Sequence, residues 1–134
     1  MLGRIDELVK LKVDFAFETT LTTLSYRHTI EIAKSKGYHI TLLFFWLNDV
    51  NLAIERVKIR VSEGGHNIPE DVVERRYYKG LKNLVKVFVN LCDYWVVIDN
   101  SDKSHLLIAE GRGLEEIKIE DNSKWSIIKA NSNE

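Results

Sequence analysis

Residues 38–47, YHITLLFFWL, constrain the fold of this chain most tightly. They are apolar nearly throughout, the mark of a strand covered on both faces, and such strands belong to parallel sheets. The unbroken apolar stretch at 42–47 falls far short of the about 20 residues that cross a bilayer. Two further runs read as buried strands: residues 13–18 (VDFAFE), with two phenylalanines, and residues 94–99 (YWVVID).

Helical patterns connect these runs. Ile5, Leu8 and Val9 make an apolar stripe over residues 4–12. Ser25 is the expected N-cap of a helix to Lys36, with Gly37 as its stop. Asn48 or Asp49 caps the next, which Gly64 and Gly65 end after Glu63. Pro69 suits the first turn of another helix, and Glu70 and Asp71 complement its positive end. That helix is expected to reach Leu91, weakened at Gly80. From residue 104 the pattern shortens. Residues 106–110, 116–120 and 125–129 read as strands, with Gly111, Gly113, Asp121 and Asn122 as turns. Residues 131–134 read as a disordered tail.

The order strand, helix, strand, helix, helix, strand is α/β. It predicts a three-layer fold with a mostly parallel sheet and a small antiparallel extension over 104–130. One domain accounts for all 134 residues. Ligands of such sheets bind beyond the carboxyl ends of the strands. That rule places Glu18-Thr19-Thr20, Asn48-Asp49 and Asp99-Asn100-Ser101 on one rim. A net charge of −1 supplies no field for nucleic acid or anionic lipid. No aromatic cluster coincides with a basic patch, so no stacking platform for bases is expected. The N-terminus lacks the apolar core of a secretory signal. The single cysteine, Cys92, allows no internal disulfide and suits a reducing compartment. A cytoplasmic protein without nucleic-acid or membrane partners is expected. The chain enters a helical pattern almost at once, as a frame cut inside a domain would.

Several residues are candidates for chemistry. Glu18, directly after a strand, could receive a sugar hydroxyl, a metal-bound water or a base edge; its ordinary role would be a loop acid paired with an arginine. Arg56 and Arg60, four apart, share a helix face. Arg75 and Arg76 follow one turn after GGHNIPE, and a mobile loop flanked by arginines is how phosphoryl-transfer enzymes clamp negative charge. Spacing alone favours a solvated face, with Glu55, Glu63 and Glu74 as partners. His66 lies in the glycine turn, where it would touch a phosphate or steady the loop. Histidines 28, 39, 66 and 105 and Cys92 show no metal-ligand spacing, so no metal site is expected.

FAFETT, a helix ending KSKGY, HITLLFFWL, LAIERVKIRVSEGGHNIPEDVVERRYYKGL and VVIDNS occur in that order. In this combination the chain resembles the zeta toxin-like P-loop kinases, including the branch labelled predicted ABC-type ATPases, over residues 4–101. The resemblance implies a P-loop kinase-like architecture that uses ATP and magnesium to phosphorylate a sugar nucleotide, UDP-N-acetylglucosamine. It implies acceptor contacts at Glu18 and Thr19, with Thr20 beside them. It implies that Arg56, Arg60 and Arg75 or Arg76 reach the ATP phosphates, and that Asn100 holds a structural or nucleotide-proximal position. An antitoxin partner belongs to the same implication.

One departure dominates. The phosphate cradle Gly-x-x-x-x-Gly-Lys-Ser/Thr occurs nowhere, and none of the glycines at 3, 37, 64, 65, 80, 111 and 113 is followed by lysine. The family's first strand and catalytic aspartate are absent with it. That strand would lie between residues 13–18 and 38–47, so two rows of backbone groups are expected to lack partners. Strand rearrangement, a homo-oligomer or a separate N-terminal fragment would close such a gap. A kinase fragment inactive by itself is expected, with ATP and magnesium poorly held. The alternative is a non-catalytic module that keeps a sugar-nucleotide or protein-partner surface.

Overall fold

The computed structural model describes residues 2–132. Helix α1 (Leu2–Leu11) and helix α2 (Ser25–Ser35) come first, then strand β1 (Thr41–Trp46). Helix α3 (Val50–Ser62) and helix α4 (Glu70–Asn83) follow. α4 widens into a π-helical turn at Leu84–Phe88 and ends as α5 (Val89–Leu91). Strands β2 (Tyr94–Asp99), β3 (Leu106–Arg112) and β4 (Glu115–Ile119) complete the sheet, and helix α6 (Asn122–Asn131) closes the fold.

The sheet order is β1-β2-β3-β4. β1 and β2 run parallel, Thr41 opposite Tyr94 through Trp46 opposite Asp99. The other two pairings are antiparallel, so the expectation of a mostly parallel sheet is corrected. Connection length decides this. The chain from β1 to β2 carries α3 to α5, enough for a crossover. Residues 100–105 and 113–114 are too short for one, because parallel neighbours need a dozen or more.

Side chains alternate across the sheet. Leu42, Phe44 and Trp46 share a face with their partners Trp95, Val97 and Asp99. This face joins Leu81, Leu84, Phe88, Ile108, Trp125 and Ile128 in the main core. Trp95 stacks on Trp125 at 5.3 Å, and its indole N–H donates to the Gly113 carbonyl. Gly111 is required beneath that ring, since a Cβ there would lie 2.5 Å from Trp95 Cζ2. The opposite face is not closed over β1: Leu43 is 55% exposed and Phe45 52%. The expected strand covered on both faces is therefore covered on one.

Other expectations also change. Residues 13–18 pair with no strand among the described residues. Phe15 and Phe17 instead pack on Ile5, Val9 and Ala33 in a satellite cluster with α1 and α2. Residues 125–129 are helical, started by Asp121, whose carboxylate accepts from the Lys124 N–H. The tail reading fails at Asn131, which is helical, and at Ser132, which is buried; residues 133–134 lie outside the described residues. Ser25 opens α2 without capping it, and its N–H donates to Thr23 Oγ1. Asp49 does cap α3, accepting from the Asn51 N–H at 2.9 Å.

α6 is clamped to the sheet by Lys124, whose Nζ lies 2.6 Å from Asp99 Oδ2. Burial opposes the charge on Asp99, but hydrogen bonds from Lys124 and Ser101 outweigh it and hold the carboxyl below 3.8. The hydrogen bond to Asp99 raises Lys124 in turn. A lowered folded value means that this stabilisation is present above the unfolded pKa and lost as pH falls through the folded one. We therefore expect unfolding free energy to decline below about pH 4. Asp99→Asn should be less stable near neutrality and decline less steeply on acidification, as chemical denaturation across pH would show.

Candidate functional site

A cleft of about 810 Å³ opens along the free edge of β1. It is lined by residues 16–21, by residues 41–47, and by side chains of α3 and α4. Glu18, Thr19, Thr20, Arg56, Arg60, Arg76 and Asn100 all reach it. Elements far apart in sequence thus bring most of the candidates together. Arg75 and His66 are exposed but do not line it. Successive helical residues point about 100° apart, so only one of the adjacent pair Arg75 and Arg76 can face the cleft from α4.

The rim at the carboxyl ends of β1 and β2 is stitched by short hydrogen bonds. The Asn100 N–H donates to the Trp46 carbonyl at 2.7 Å. The Asn48 N–H donates to Ser101 Oγ at 2.8 Å. Arg56, half-buried, donates through Nη2 to the Asn100 carbonyl at 2.7 Å. Arg56 is therefore fixed against the rim. Tyr77, from α4, donates its hydroxyl to the Leu47 carbonyl. Burial, helped by Tyr78 and Asp49, pushes that hydroxyl up to about 12, so it remains a donor.

The electrostatics depart from a solvated helix face. Among the described residues, none of the expected partners Glu55, Glu63 and Glu74 pairs with an arginine. The guanidinium groups of Arg60 and Arg76 have no ion pair there, nor has the Glu18 carboxylate. Lys58 spans the glycine turn instead, 2.8 Å from Glu70 at the start of α4. Gly64 takes φ 99°, and the Gly65 N–H closes α3 on the Arg60 carbonyl at 2.7 Å. Among the described residues no three His, Cys, Asp or Glu side chains gather as metal ligands.

The loop carrying Glu18 rests on α4 through two residues whose roles the sequence did not disclose. Gly80 is buried, and a Cβ there would stand 2.8 Å from the Thr20 carbonyl oxygen. The glycine expected to weaken the helix instead admits the loop. A lone glycine inside a helical pattern is the available signal for such an approach. Asn83, also buried, donates through Nδ2 to the Leu21 carbonyl. Leu21 is buried at φ 58°, and its N–H donates to Thr19 Oγ1.

The model of the family described as Zeta toxin matches residues 3–111. The chain belongs to the Zeta toxin family. A Haemophilus influenzae (strain Rd) protein, described as uncharacterized, is 34% identical over 76 residues, covering 57% of this chain and 54% of that protein. The chain thus spans about half the length of the curated relative it matches. No solved structure matches the chain. The span matched by the Zeta toxin model includes every residue named above as lining the cleft.

In this Zeta toxin family member, Asn83 should govern the loop. Asn83→Ala leaves a buried carbonyl without its donor, which costs about 1–3 kcal/mol. Urea unfolding should show that loss. Faster hydrogen exchange confined to residues 19–22 should accompany it.

Proposed function

We propose that this Zeta toxin family chain is the acceptor-side body of a kinase. The reaction is transfer of the terminal phosphoryl group of ATP to a hydroxyl of a small acceptor such as UDP-N-acetylglucosamine. Family membership supports a kinase-like, nucleotide-binding role. The observation that carries the reading is one cleft holding a carboxylate–threonine loop and three guanidinium groups, none of them with an acidic partner among the described residues. Unpaired arginines beside a groove suit an anionic phosphate, which they bind through charge-assisted, often bidentate hydrogen bonds.

Roles follow from placement. Glu18 accepts a hydrogen bond from the acceptor hydroxyl, and Thr19 and Thr20 orient that acceptor. Arg60 and Arg76 present positive charge to phosphate oxygens bound in the cleft. Arg56, tied to Asn100, shapes the rim that they share. The lining fits phosphates through its arginines, but it offers magnesium one carboxylate, Glu18. Magnesium in phosphoryl-transfer sites relies on one or two carboxylates together with the phosphates. The lining contains no glycine-rich loop ending in lysine. The donor half does not fit this chain alone, and no transfer step is assigned to it.

Calorimetric titration separates the halves. UDP-N-acetylglucosamine should bind and Mg-ATP should not. Glu18→Ala should weaken the sugar nucleotide about tenfold, the equivalent of about 1.4 kcal/mol. Absence of sugar-nucleotide binding would remove the acceptor assignment. ATP-dependent phosphorylation by the pure chain would contradict the inactivity. A non-catalytic module would bind the acceptor equally well but gain no ATP binding when a phosphate-binding segment is supplied.

A further inference from the structure

α4 and the turn that extends it carry cations that the cleft reading leaves unused. Residues 75–86, RRYYKGLKNLVK, hold five lysines and arginines and no acid, in a chain whose net charge is −1. Helix phase sorts the five. Successive residues turn by about 100°, so Arg75, Lys79, Lys82 and Lys86 fall on one line along the helix. The buried Val73, Leu81 and Leu84 lie on the opposite side. All four cations of the line are exposed. Arg76 alone stands off it, on the side of Gly80 and Asn83 that seats the Glu18 loop, and Arg76 lines the cleft.

Exposed helical cations commonly face acids three or four residues away. Here the acids of α4, Glu70, Asp71 and Glu74, all precede the line, and Glu70 is held by Lys58. Among the described residues Arg75, Lys79 and Lys82 form no ion pair, and none of the three lines the cleft. They are nevertheless close to it. Arg75 is bonded to Arg76 in the chain, and Lys79 is its helical neighbour at i+3, about 5–6 Å away between Cβ atoms. Exposed charges act over about 10 Å at 0.1 M ionic strength. The line therefore reaches the mouth of the cleft with its field and not with its side chains. The lining itself offers one acid, Glu18, against three arginines.

We propose that the basic line on α4 is an electrostatic guide for the cleft, which speeds the arrival of ligands that carry two or more negative charges. This rests on the acceptor reading above and adds how that site selects: a phosphorylated or diphosphate-bearing acceptor is gathered before Glu18 touches it, and a neutral sugar is not. Like charges beside a groove raise the local concentration of counter-ions and their association rate, and salt abolishes the gain. Charges at the rim of a site act on arrival and on salt dependence, whereas groups in contact with the ligand act on its escape. Helix phase divides those two tasks between Arg76, in the lining, and Arg75, Lys79 and Lys82, outside it.

Phosphorus NMR line shapes of UDP-N-acetylglucosamine and, separately, of inorganic pyrophosphate, titrated with the full chain, give both rates. At 0.1 M ionic strength Lys79→Gln/Lys82→Gln should lower the association rate of the sugar nucleotide about two- to threefold. The fall should be larger for pyrophosphate, which carries more charge. Dissociation rates should stay the same, and at 1 M salt the two proteins should match, because screening is then complete within about 3 Å. Lys10→Gln/Lys36→Gln removes the same charge near the amino end of β1, about a strand length of 20 Å from the rim, and should change nothing. Equal association rates in the stripe variant and the unaltered chain would overturn the proposal. So would an equal fall in the control variant, which would reduce the effect to net charge. A loss of affinity through faster dissociation would overturn it too, by making the two lysines contacts of the bound ligand. Pyrophosphate binding that follows the stripe, with no binding of the sugar nucleotide, would remove the acceptor reading and keep the guide. Failure of both ligands to bind would overturn both.

Discussion

Among the described residues β1 pairs with a strand on one edge only, and its other edge faces the cleft. Much of the molecule follows from that imbalance. The β2 side is satisfied, and its register continues past the strand ends through Ile40 and Trp46. The open side leaves Leu43 and Phe45 half in water. Residues 13–18 lie outside the sheet. The cleft is the space between these two stretches of backbone, and the candidate site is the end of that space where α3 and α4 supply arginines.

The same arrangement explains how the site is held while its wall is incomplete. Arg56, Asn100, Ser101 and Asn48 bind the ends of β1 and β2 into one rim. Gly80 and Asn83 seat the Glu18 loop on α4. α4 belongs to the main core through Leu81 and the Leu84–Phe88 turn. The Glu18 loop is thereby tied to the main core, although Phe15 and Phe17 belong to the satellite cluster of α1 and α2.

What the sequence disclosed divides along physical lines. Most local signals read correctly, Ser25 being the exception. Asp49 capped its helix, Gly37 and Gly64 took the positive φ that ends one, and the apolar run 94–99 became β2. Signals that depend on distant partners did not. VDFAFE has strand composition, but a strand exists only when another pairs with it. YHITLLFFWL reads as covered on both faces, yet the cover over Leu43 and Phe45 is not in the fold. WSIIK fits strand and helix alike, and Asp121 decided for helix. The arginines were legible as a group. Their assignment was not, because helix phase separates Arg76 from Arg75 and His66 stands outside the cleft. Gly80 and Asn83 serve the site through contacts with a loop some sixty residues away, a relation that no local pattern carries.

The unpaired edge of β1 is the claim on which the cleft and the site rest. Site-resolved hydrogen exchange on the free chain tests it directly. The Leu42, Phe44 and Trp46 amides should be protected by β2, while Thr41, Leu43 and Phe45 should exchange faster by orders of magnitude. Uniform protection along β1 would contradict the account, because it would mean that the outer edge already has a partner.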